Sequence, residues 1–169
     1  MAKLEKIEFI KIPNVRVIGV EVAQSMAEGA ENPVPALWER CFSDGTVDML
    51  KRLPRAVADC TIGWMGDAKG PDFKYIAGVI AVENTPVPDG MQYRDLPACD
   101  MAKGYITGNL QNGDVYGNAH NLTVEGIKAS NFDADYSVGW SAEVYPDDMS
   151  FDADEGTLCY LCPYTALAK

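Results

Sequence analysis

Apolar and polar positions along the chain fall into six runs that read as β-strands, by two-residue alternation or as short apolar stretches bounded by turn residues. They are VRVIGVEVA (15–23), TIGWMGD (61–67), FKYIAGVIAV (73–82), CDMAKGYITG (99–108), YSVGWSAEVYPDD (136–148) and TLCYLCPY (157–164). Two other stretches change to helical spacing. In PALWERCFSDGTVDMLKRLP (35–54), Leu37, Trp38, Cys41 and Phe42 make one apolar face behind Pro33 and Pro35, and proline is tolerated where a helix starts. The SDG at 43–45 interrupts that face and predicts two short helices or a kink. In DVYGNAHNLTVEGIKAS (114–130), Tyr116, Ala119, His120, Thr123 and Ile127 form a stripe, with Gly117 and Gly126 suited to close approach by a neighbour.

The elements repeat. Each half of the chain reads β-α-β-β, with repeat 1 at about 7–82 and repeat 2 at about 91–164. IPNVRVIGVEV and LPACDMAKGYI both begin with an apolar residue and Pro and place a glycine, Gly19 or Gly104, in the strand that follows. Each helical region is followed by a Gly-Trp pair, Gly63-Trp64 and Gly139-Trp140. Between the halves, ENTPVPDGM (83–91) has the two prolines and Asp-Gly step of a loop. Neither half has enough helix to cover a sheet alone, so the expectation is one domain over 1–169.

One run is unusual. In GWSAEVYPDD (139–148), alternation gives Val138, Trp140, Ala142 and Val144 one face, which is a core face, and Gly139, Ser141, Glu143 and Tyr145 the other. The second face sets one carboxylate among small and aromatic residues. It is either a thinly decorated solvent face or the lining of a cavity. A carboxylate facing an apolar cavity is costly to ionise unless a cation or donor compensates it, so it binds such a ligand or keeps a proton at a raised pKa.

Composition narrows the function. At 169 residues, 47% hydrophobic and 23% charged, the chain matches a water-soluble globular protein. No apolar run approaches the ~20 residues that span a bilayer, and MAKLEKIEFIKIP at the N-terminus lacks the features of a signal peptide. The expected location is the cytoplasm. A net charge of −11 disfavours nucleic acid and anionic membranes as partners of this chain alone, and suits cationic ligands as well as plain solubility. Five cysteines without a secretion signal read as reduced thiols. The CYLC at 159–162 sits in a strand-like run and not in the turn of a zinc or redox site, and His120 is the sole histidine. Neither a metal nor a cofactor is expected.

The duplicated pattern, the IPNVRVIGVEV opening, and above all the acid-bearing penultimate strand WSAEVYPDD before a short terminal strand TLCYLCPY resemble the gyrase-inhibitor-like (GyrI-like) small-molecule-binding domain. That domain also serves as the effector-binding module of AraC-type and MerR-type regulators. The resemblance runs from about Ile7 to Tyr164. It implies an α+β fold in which two pseudo-twofold β-α-β-β units form a split barrel with a central, aromatic-lined ligand cleft, met by a buried glutamate on the penultimate strand. Glu143 matches that glutamate.

Tyr160, Tyr105, Tyr75, Trp38, Phe42 and Trp64 are the aromatic candidates for the cleft. Trp140, on the face opposite Glu143, reads as core, and a lone helical histidine such as His120 reads as a hydrogen-bonded packing residue. With no basic helix-turn-helix segment in the sequence, the chain is expected to be a stand-alone member. The implied function is binding of small aromatic xenobiotics, cationic ones included, for sequestration or sensing. The alternative is a hydrolase that opens cyclopropane-containing genotoxins, with Glu143 as acid or base and Tyr160 beside it. A third reading is a gyrase-inhibitor type of protein interaction, which the scattered acids disfavour. Oligomeric state is left open.

Overall fold

The computed structural model of the protein describes residues 1–168. The chain forms two compact units: an internal one, residues 13–97, and a terminal one, residues 1–12 with 98 onward. Each is an antiparallel sheet with helix on one face, giving an α+β fold whose sheets are not closed into a barrel.

In the internal unit, β2 (Val15–Ser25), β3 (Cys60–Lys69), β4 (Asp72–Val82) and β5 (Gln92–Leu96) lie in the order β3-β4-β2-β5. Helix α1 (Val34–Ser43) begins behind Pro33, where the Asn32 side chain accepts the Val34 N–H. Gly45 then takes the left-handed conformation at φ +83°, which ends α1 and starts α2 (Thr46–Lys51). The SDG interruption therefore makes two helices, as expected. Leu37, Cys41 and Val47 pack on Tyr75 and Ala77, while Leu50 packs with Ile18, Val79 and Ala81. Burying each such side chain stabilises the unit by roughly 1.5–3 kcal/mol before the loss of chain entropy.

In the terminal unit, β1 (Lys3–Ile12), β6 (Cys99–Asn109), β8 (Trp140–Pro146) and β9 (Glu155–Ala166) lie in the order β1-β6-β9-β8, and the short β7 (Phe132–Ala134) pairs with the far end of β9. Helix α3 (Asp114–Ala129) buries Ala119, Thr123 and Ile127 from the expected stripe. Gly126 does allow close approach: a Cβ there would lie 2.6 Å from Leu4 and 3.1 Å from Ile7 of β1. Gly117 faces open space instead.

Two strands escaped the sequence pattern. In β1 the register shifts between Leu4 and Lys6, so Leu4 and Ile7, three apart, both reach α3 and the alternation breaks. The five-residue β5 lies at the edge of its sheet and is mostly polar and exposed. β1 precedes β2 in sequence yet belongs to the terminal unit, and β5 precedes β6 yet belongs to the internal one. Each repeat thus gives its leading strand to the unit built mainly from the other.

The register also corrects one expected equivalence. Gly19 pairs with Gly78, which pairs with Ile62, whereas Gly104 pairs with Tyr160, which pairs with Glu143. Gly19 and Ile62 lie on the face away from the helices, since the neighbouring Val20 and Ala77 pack under α1, whereas Gly104 and Glu143 lie on the face toward Thr123 of α3, so the two glycines are not equivalent positions. No helix among the described residues is long and apolar enough to cross a membrane.

Candidate functional site

The candidate site is built on β8. Residues 136–138 form a 3-10 turn closed by Gly139 at φ +86°, a conformation that favours glycine, and the strand begins at Trp140. Trp140, Ala142 and Val144 are buried, as the core face requires, while on the other face Ser141 and Glu143 are partly exposed and Tyr145 is buried. Residues directly opposite each other in an antiparallel pair share a face. Glu143 lies opposite Tyr160 of β9, and Tyr160 lies opposite Gly104 of β6. A Cβ on Gly104 would come within 2.4 Å of the Thr123 hydroxyl on α3. The Glu143–Tyr160 face is therefore the one that α3 covers.

A hydrogen-bonded chain runs through this layer. The Tyr160 hydroxyl donates to Ser141 Oγ at 3.0 Å and stands 3.0 Å from His120 Nδ1. A hydroxyl has one proton, so Nδ1 carries the hydrogen and donates to Tyr160. Nε2 then accepts from the Tyr136 hydroxyl at 3.5 Å, a long contact. The His120 ring stands edge-on to Tyr160, with centroids 5.5 Å apart. Tyr136 is 70% exposed, so the chain leads from solvent to a strand residue two positions from Glu143.

Glu143 is held by opposing influences. Loss of hydration among the surrounding protein atoms pushes its carboxyl up to about 7, and a hydrogen bond from Tyr145 pulls the other way. Near neutral pH the carboxyl is therefore divided between an acid that donates and a carboxylate that accepts. Burial, followed by the charge of Glu143, raises the Tyr116 phenol. Tyr160 is raised by burial against a lowering hydrogen bond to Ser141, and burial lowers His120, which is neutral at pH 7.

The other sequence candidates fall elsewhere. Tyr105 pairs with Cys159 and lies on the opposite face from Glu143. Its hydroxyl donates to Glu8 at 2.9 Å, and the ammonium groups of Lys6 and Lys103 each stand 5.2 Å from its ring centre. Tyr75, 1% exposed, accepts a 2.8 Å hydrogen bond from Trp38 Nε1 under α1 of the internal unit. Phe42 lies 6.0 Å from Trp38, ring centre to ring centre, and is 47% exposed. Trp64 is on the other face of that sheet from Tyr75, beneath the Arg94 guanidinium that bridges Glu21 and Asp67. Trp140 is buried as expected. The indole N–H groups of Trp64 and Trp140 are buried without a hydrogen-bond partner among the described residues.

Cys159 and Cys162, three apart on β9, point to opposite faces. A concavity of about 490 Å³ in the internal unit is lined by Gln24, Glu31, Asp67 and Lys74 among others, and does not include Glu143. Of the residues around Glu143, Ser141 and Tyr145 were visible from strand alternation. His120, Tyr116 and Tyr136 were not assigned to the site, because a histidine and a tyrosine on an apolar helical stripe read as core.

A sequence model described as the GyrI-like small molecule binding domain matches residues 5–155. No curated protein matches the chain in sequence. Among solved structures, SAV2435 bound to tetraphenylphosphonium is similar, with a TM-score of 0.74 at 11% identity over 95% of this chain and 94% of that one. A protein of Staphylococcus aureus MU50, provisionally assigned to bacterial transcription regulation, gives 0.71 at 12% identity over 95% and 99%. The EcmrR C-terminal domain gives 0.61 at 12% identity over 96% and 98%. At these identities the likeness is one of fold.

Proposed function

The chain belongs to the GyrI-like small molecule binding domain family, and we propose that it binds small aromatic cations at Glu143 for sequestration or sensing. The observation that carries this reading is the Glu143 carboxyl itself, directly opposite Tyr160 and held partly protonated near neutral pH. A partly desolvated carboxylate gains most from a ligand whose positive charge comes with little hydration of its own, which describes a cation spread over aromatic rings. Tyr116, Tyr145 and Tyr160 around it supply apolar rings with polar tips. That SAV2435, similar in fold, is bound to tetraphenylphosphonium supports the choice of ligand class.

Wild type and Glu143→Gln would be titrated with tetraphenylphosphonium and with planar aromatic dyes, followed by fluorescence and calorimetry. Saturable binding by wild type that weakens in the variant supports the reading; equal binding by both proteins overturns it.

A second reading rests on the same carboxyl. A pKa of about 7 places an acid where it can give or take a proton at neutral pH, which is what hydrolytic opening of an activated cyclopropane asks of Glu143. Product mass spectrometry on cyclopropane-bearing electrophiles tests it. Product heavier by one water, from wild type and not from Glu143→Gln, makes the protein a hydrolase.

A further inference from the structure

The Tyr160 phenol stands on the same face as Glu143, since the two residues are directly paired across β8 and β9, while Tyr145 already supplies one hydrogen bond to the carboxyl. A phenol O–H that reached the carboxylate would satisfy it and favour its ionised form. In this structure the hydroxyl is engaged elsewhere. Its one proton goes to Ser141 Oγ and its oxygen meets His120 Nδ1, both at 3.0 Å. Ser141 is two residues from Glu143 on the same face of β8, so the phenol leans along the sheet, away from the residue it is paired with.

We propose that His120 is a positioning residue which, together with Ser141, holds the Tyr160 hydroxyl away from the Glu143 carboxyl, so that the carboxyl keeps only its hydrogen bond from Tyr145 and stays available to a ligand. The inference rests on the ligand-binding reading of Glu143 and gives His120 a part in it.

Geometry fits this role better than simple packing does. Only the Nδ1–H tautomer is compatible with the Tyr160–Ser141 bond, and Nε2 is then left to face Tyr136, the solvent side of the layer. The titratable groups facing His120 and Glu143 are few. They are Tyr116 from α3, Tyr136 from the turn before β8, Tyr145 from β8, and Tyr160 and Cys162 from β9. The phenols of Tyr116, Tyr136 and Tyr160 are raised, and Cys162 is pushed up to about 11 by burial. Glu143 is the group whose carboxyl is brought to about 7, and burial lowers His120 so that it is neutral there.

The test reads the Glu143 carboxyl in the ligand-free protein, by carbon-13 NMR titration, in wild type, His120→Phe, Ser141→Ala and Tyr160→Phe, and in the double variant of His120→Phe with Tyr160→Phe. His120→Phe keeps a ring in place and removes the donor; Ser141→Ala loosens the other end of the tether and covers the case in which the first variant fails to fold. Each of these two is expected to lower the Glu143 midpoint by about one pH unit as the freed hydroxyl turns to the carboxylate. The effect of His120→Phe should vanish when Tyr160 is also Phe, because the hydroxyl through which it acts is gone.

A Glu143 midpoint unchanged in both single variants overturns the proposal, as does a shift that persists without the Tyr160 hydroxyl. Tetraphenylphosphonium affinity is then measured on the same proteins. Loss of binding in all of them with the NMR shifts intact would refute the ligand reading and leave the tether standing, so the two failures are distinguishable.

Discussion

Each unit sets a tyrosine hydroxyl under a helix and gives it a ring N–H donor, yet the two layers end in different chemistry. In the internal unit the pair is Trp38 and Tyr75. An indole only donates and does not titrate, and Tyr75 lies so close over Gly63 that a Cβ there would come within 2.0 Å of its hydroxyl. That layer is closed. In the terminal unit the pair is His120 and Tyr160, and imidazole has a second nitrogen that carries the network out to Tyr136. On the face that carries its tyrosine the internal sheet has Gly63, opposite Ala77, whereas the terminal sheet has Glu143, opposite Tyr160. One layer is packed for stability, and the other keeps a polar group whose desolvation is offset only in part.

That contrast can be broken experimentally, first by stability. Glu143 keeps its proton in the folded protein up to about pH 7, whereas in the unfolded chain it loses it near the ordinary 4.5. Between these values the native state binds the extra proton, so stability falls as pH rises and levels off above the folded pKa. The loss is at most about 3 kcal/mol, less for the part of the side chain that keeps water. Glu143→Gln should therefore raise the denaturation midpoint at pH 8 relative to wild type and give no such gain at pH 4, as chemical denaturation would show.

In the internal unit the largest effect is expected from Gly63→Ala. Tyr75 is buried and hydrogen-bonded, so it has little room to move from the added methyl, and a loss of about 1–3 kcal/mol is expected with unchanged binding at Glu143. Trp38→Phe is the milder probe. It removes the donor to Tyr75 and should cost about 1 kcal/mol in thermal or urea unfolding. If either variant weakened tetraphenylphosphonium binding as strongly as Glu143→Gln, the assignment of ligand chemistry to the terminal layer would be wrong.

These layers were unequally legible in the sequence. The helices and the strand runs follow from local signals, such as the Gly45 break between α1 and α2 and the stripe along α3, except that the run expected from 136 begins as a 3-10 turn over Tyr136–Val138 and becomes a strand only at Trp140. Strand alternation alone isolated Glu143 on a sparse face, since a two-residue period leaves no freedom once Trp140, Ala142 and Val144 are inside. Pairing register is not local. Tyr105 read as a companion of Glu143, but the alignment of β6 with β9 puts it beside Cys159 on the other face. The bulge in β1 erased its alternation and hid the strand. His120 looked like packing because its partner Tyr160 is forty residues away in sequence and meets it only once β9 lies under α3.

The measurement that bears most directly on the account is the affinity of wild type and Glu143→Gln for tetraphenylphosphonium at pH 6 and pH 8, by isothermal titration calorimetry. A carboxyl with a pKa of about 7 is mostly protonated at the lower pH and mostly ionised at the higher. If the carboxylate is what meets the cation, wild-type affinity should rise about tenfold across that interval, and the variant should bind weakly at both pH values without the rise. Equal affinities for the two proteins at both pH values would contradict the account.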